Sequence, residues 1–122
     1  MEFHIEYQGV QTYRIRDIIK IRTPRLLIFS DRVDRNISKM KALLQGQSPP
    51  LGLKSLCPHV KTVKSNWAVK RLMSAGISFF KCSLNELDLL LQAGAKEILI
   101  AYPLLIADAE IVLERKKAFP QS

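Results

Sequence analysis

Short uninterrupted apolar blocks alternate along this chain with longer stretches in which apolar residues recur every three or four positions. The first block, "LLIF" at residues 26–29, has four apolar residues in succession, the signature of a strand buried on both faces of a parallel sheet. After it Val33, Ile37, Met40, Leu43 and Leu44 keep helical spacing, with Ser30 and Asp31 placed to cap the helix. A loop rich in Gly, Pro and Ser, "QGQSPPLG", leads to a second short strand at residues 56–60, with Lys61 at its C-terminal end. Ser65 or Asn66 can cap a second helix carrying Trp67, Val69, Leu72 and Met73, which Gly76 stops. Trp67 is expected in the core rather than as an exposed stacking platform.

The pattern then repeats. "ISFF" at 77–80 makes a third strand, and Ser83-Leu84-Asn85-Glu86 has the S-x-x-E form in which side chains satisfy the free N–H groups of a helix start. The helix "LNELDLLLQAG" ends, like its predecessor, in Ala-Gly, and "EILIAY" at 97–102 and a helix over 107–117 complete a fourth unit. Strands alternating with helices predict parallel strands joined by right-handed crossovers.

Two architectures accept that order. A doubly wound nucleotide fold needs a glycine-rich turn after its first strand, where the backbone approaches a pyrophosphate, and "FSDRVDRN" has no glycine. A barrel places chemistry at strand C-terminal ends, and here those ends carry Ser30 and Asp31, Lys61, Lys81-Cys82-Ser83 and Tyr102-Pro103. The expected fold is therefore α/β, a partial (β/α)8 TIM-type barrel made of its first four units. Residues 1–22 form an N-terminal extension and residues 23–122 the barrel part. A closed barrel takes about 250 residues, so four strands cannot close by themselves.

Composition narrows the partners. The 122 residues are 48% hydrophobic and 25% charged, enough for one ordinary globular core. A formal charge of +8 suits a phosphate-bearing partner. The basic residues are nevertheless scattered, without an RNA-binding aromatic motif or zinc-finger spacing, so no nucleic acid partner is expected. No apolar run approaches the roughly 20 residues of a membrane span, and no membrane partner is expected. The start "MEFHIEYQGV" lacks the basic and long apolar regions of a secretory signal, so Cys57 and Cys82 read as reduced thiols of a cytoplasmic protein. Cys57 and His59 lack the paired ligands of a zinc site, and no metal ligands are assigned.

Lys61 poses the sharpest chemical question. At pH 7 only about one ordinary lysine amine in 2,500 is neutral, and only a neutral amine attacks a carbonyl. Burial or a neighbouring cation favours the neutral form, and Lys64, three residues on, is the nearest candidate in sequence. Sheets commonly end in lysine, so spacing alone favours a solvated lysine at a strand end over a catalytic one. Tyr102 stands between a ring or substrate contact and an ordinary Tyr-Pro turn.

The segments "TPRLLIFSDRVDRNI", "PHVKTVKS" and "AGISFFKCSLNELDLLLQAGAKEILIAYPLL" resemble the N-terminal barrel part of the D-threonine aldolase and D-serine dehydratase family. These are alanine-racemase-like, fold type III, pyridoxal-phosphate enzymes. The resemblance runs from about Tyr13 to the C-terminus, and its most specific element, Pro58-His59-Val60-Lys61-Thr62, matches the family's usual P-H-V-K-T-H-K.

It implies that Lys61 is the catalytic lysine, in imine linkage to pyridoxal 5'-phosphate, and that His59, Lys64 and Tyr102 help to hold the cofactor. The implied reaction is a lyase reaction, aldol cleavage or dehydration, on a D-β-hydroxy amino acid. An amino-acid racemase or a non-catalytic, homeostasis-type cofactor binder are the alternatives. The family's divalent metal ligands and phosphate-gripping loops correspond to sequence beyond this chain, so a second copy or a missing C-terminal half is the expected macromolecular partner. Two departures bear on the site: Cys57 and Val63 stand where the family usually has arginine and histidine.

Overall fold

The computed structural model describes residues 3–7 and 11–120. It is mixed α/β. Strands β1 (Phe3–Tyr7) and β2 (Gln11–Ile15) form an antiparallel hairpin in which Phe3 faces Ile15 and Tyr7 faces Gln11. Then follow α1 (Ser30–Gln45), α2 (Asn66–Ser74), β3 (Phe79–Cys82), α3 (Leu87–Ala93), β4 (Glu97–Ile100) and α4 (Ile106–Ala118).

Strands β3 and β4 pair in parallel, Phe79 opposite Glu97 and Cys82 opposite Ile100. His59 adds one parallel bridge to Lys81, fixed by the Lys81 N–H donating to the Pro58 carbonyl at 3.0 Å. The parallel order is thus the 59 segment, β3, β4.

The two central units are built as their sequence requires. The Ser65 hydroxyl caps α2 by accepting from the Ala68 N–H at 3.4 Å. At the other end Gly76 takes a φ of +109° and Gly94, after α3, a φ of +88°, values that L side chains rarely adopt. Both helices close with the same pair of bonds, Ile77 to Leu72 and Gly76 to Met73 in one, Ala95 to Leu90 and Gly94 to Leu91 in the other. This is the Schellman closure, which uses up the last helical carbonyls. Ser83 and Glu86 form the anticipated capping box at the head of a single 3-10 turn, Leu84–Glu86, that runs into α3.

Alternation along β3 explains the core. Phe80 and Cys82 point to the helix-covered face and are fully buried, and Val69, Leu87, Leu90 and Leu91 pack with them. Burying a side chain such as Phe80 stabilises by about 1.5–3 kcal/mol relative to leaving it exposed. Phe79, Lys81, Glu97 and Leu99 lie on the other face, which no helix covers to the point of burial.

Several expectations are corrected. Residues 26–29 are not a strand: they pair with no neighbour, and Leu26 is 78% exposed. An apolar block becomes a strand only where another strand satisfies its backbone, and among the described residues none pairs with it. The segment at 56–60 is extended but contributes only the His59 bridge before a 3-10 turn, Val60–Thr62, takes over. Four complete β/α units are therefore not present. Phe29, not Ser30 or Asp31, is the N-cap of α1, and neither side chain caps it. Trp67 is 44% exposed rather than in the core. The N-terminal hairpin was not expected, and it joins α1 through Tyr13, whose ring centroid lies 4.0 Å from that of Phe29 and whose hydroxyl donates to Asp31 and accepts from Arg32 Nε. Among the described residues no helix is long and apolar enough to cross a membrane.

Candidate functional site

The C-terminal ends of the three parallel segments gather a small set of polar side chains around one carboxylate. Val60 is buried and anchors the first segment; directly after it the chain turns, because Val63 and Lys64 both donate their N–H to the Val60 carbonyl, at 2.8 and 2.9 Å. Lys61 sits at the crest of that turn with its side chain exposed, and its own N–H donates to His59 Nδ1 at 3.2 Å. The Thr62 hydroxyl closes the turn onto the His59 carbonyl. His59 is thereby held as an acceptor at Nδ1.

Lys64 takes a φ of +40°, the left-handed region in which a lysine carries a backbone cost of order 1 kcal/mol. That geometry brings its ammonium to 3.6 Å from Glu86 Oε1. Glu86 is 8% exposed and is the one buried charged residue among those described. Its Oε2 accepts the Ser83 N–H at 2.9 Å and the Ser83 hydroxyl. Hydrogen bonding from Ser83, above all, holds its carboxyl below the usual carboxylate range, and the charge of Lys64 acts in the same direction.

On the far side of β3, Tyr102 reaches the same turn, its hydroxyl accepting the Leu84 N–H at 3.0 Å. Beneath the turn, burial pushes the Cys82 thiol up to about 11, with the Glu86 charge adding to the effect. Cys82 is therefore a neutral packing residue.

Of the four residues singled out in the sequence, His59, Lys61 and Lys64 share one turn. Lys64 and Tyr102 meet the 83–86 turn from its two sides. The Lys61 side chain takes part in none of these bonds. Glu86 was foreseen only as a helix cap; the S-x-x-E spacing was its signal, and its second role depends on Lys64 arriving from 22 residues earlier, which no local pattern announces.

Comparison with protein-family models, with curated proteins and with solved structures gives no match in any of the three.

Proposed function

We propose that this chain is a pyridoxal-phosphate-binding protein of the D-threonine aldolase and D-serine dehydratase type, with Lys61 holding the cofactor through Nζ. Its strand-helix units would correspond to the first half of a parallel barrel. The observation that carries the reading is the placement of Pro58-His59-Val60-Lys61 at the C-terminal edge of parallel segments, where such folds keep their chemistry.

The residues at that edge suit the cofactor's chemistry. Lys61 is exposed to an incoming ligand, Lys64 stands on the same turn in a pair with Glu86, and the Tyr102 hydroxyl, which accepts from Leu84, keeps a hydrogen to donate. When bound, pyridoxal phosphate supplies an electron sink that lets a bond at a substrate α-carbon break. The chain's own part is to present the Lys61 amine and to hold the 83–86 turn through the bonds of Glu86 to Ser83 and Lys64. The exposed apolar residues Leu26, Leu99, Leu105 and Ile106 are ones that further strands and helices of a barrel would cover. A D-β-hydroxy amino acid is the proposed substrate class, and a second copy or a C-terminal half the proposed partner.

The test is to incubate the chain with pyridoxal phosphate, reduce with borohydride and map modified lysines by peptide mass. Lys61 should carry the label and the Lys61→Ala chain should lose it. Labelling spread over many lysines, unchanged in Lys61→Ala, would contradict the proposal.

A further inference from the structure

Away from the strand ends, a cleft of about 350 Å³ opens between α3, β4 and α4, a volume at the lower end of small-ligand sites. It exists because α4 contributes little to the core: none of its residues is buried, and only Val112 reaches toward the sheet from mid-helix. The floor is wholly aliphatic, made by Leu87 and Leu91 of α3, Ile98 and Ile100 of β4, and Val112. The remaining lining residues are three cations, Lys96, Arg115 and Lys116. No carboxylate, aromatic ring or uncharged polar side chain lines the cleft. Arg115 is held in place by Asp88, Nε to Oδ1 at 2.7 Å, whereas Lys96 and Lys116 have no ion-pair partner among the described residues.

We propose that this cleft binds a single aliphatic chain ending in a carboxylate. The floor offers dispersion and burial but nothing to satisfy an amide, so a peptide backbone would leave polar groups unpaired at a cost of about 1–3 kcal/mol each. The absence of aromatic walls removes the stacking that would favour a planar ring. The rim supplies positive charge from Lys96 and Lys116, with Arg115 already paired to Asp88, and the chain's net charge of +8 draws an anion in.

The experiment titrates the isotope-labelled full chain with decanoate, below its micelle-forming concentration, and follows backbone amide shifts. Saturable shifts should concentrate at Leu87, Leu91, Ile98, Ile100 and Val112. Decanol, with the same tail and no charge, should bind about fivefold more weakly, as should the double variant Lys96→Gln/Lys116→Gln, the scale that two exposed charge contacts supply. Val112→Phe, which fills the floor, should abolish the shifts. Shifts scattered over the surface, decanol binding as tightly as decanoate, or an acidic amphipathic peptide moving these amides while decanoate does not, would each overturn the proposal.

Discussion

The segment at 26–45 and the segment at 65–95 have nearly the same design, an apolar block coupled to an amphipathic helix, yet they end in opposite conditions. In the second, Val69, Phe80 and Leu90 are completely buried and both helices are closed by a glycine turn. In the first, α1 has no buried residue and reaches the core only through the partly buried Ile37 and Leu44, Leu26, Leu27 and Ile28 are exposed, and an exposed pair, Arg71 to Asp34, links α1 to α2. Hydrophobicity of the block does not decide the outcome; the presence of a neighbouring strand does. The candidate site follows the buried region, since every bond that shapes it runs between residues 58 and 102.

The contrast can be broken most strongly at Phe80. Phe80→Ala should lower the unfolding free energy by about 3–5 kcal/mol, the range for deleting a buried aromatic ring. The counterpart Leu26→Ala should change it by less than about 0.5 kcal/mol, as at other exposed positions. Denaturant midpoints of the two variants, with unchanged slopes, check both values. Equal losses would erase the distinction.

Next in size is the turn that carries Glu86. Ser83→Ala removes the cap and should cost about 1 kcal/mol. Glu86 is held ionised in the folded chain, so its stabilisation is complete above the ordinary carboxylate range near 4.3 and is lost as pH falls through its lowered folded value. Glu86→Gln, which can still close a capping box, should flatten that part of the stability profile below about pH 4.3. An acid limb as steep as in the parent chain would assign the effect elsewhere.

The smallest effect concerns the thiols. Burial pushes the Cys82 thiol up to about 11 in the folded state, against about 8.5 for a free thiol. Its raised value means that the stabilisation holds below about 8.5 and is lost as pH rises toward about 11. At pH 8 a disulfide reagent should modify the half-buried Cys57 quickly and Cys82 only on unfolding. Comparable rates at the two thiols would mean that Cys82 is not enclosed.

How much of this could be seen in advance divides along the same line. The caps at Ser65 and Ser83 and the stops at Gly76 and Gly94 depend on residues within a few positions of each other, and the sequence states them directly, while the parallel order of the central strands follows from the alternation of strand and helix. The fate of "LLIF" depends on what lies beside it, which a local pattern does not contain. The N-terminal hairpin was foreseeable from the alternation of "FHIEY" with "QTYRI", period two on both sides of a short connection, a signal masked by the polar character of the region. In the site, Lys61 stood out through its motif. The left-handed turn at Lys64 did not, because lysine gives no warning of a positive φ.

In the proposed reading the folded turn, and not the lysine content of the chain, selects Lys61. That selection is tested by reducing the pyridoxal-phosphate adduct with borohydride twice, once with native chain and once in denaturant, and quantifying label at each lysine by peptide mass. Label should concentrate on Lys61 in the native chain and disperse over the lysines when unfolded. Dispersed label in both, or Lys61 favoured equally in both, would contradict it.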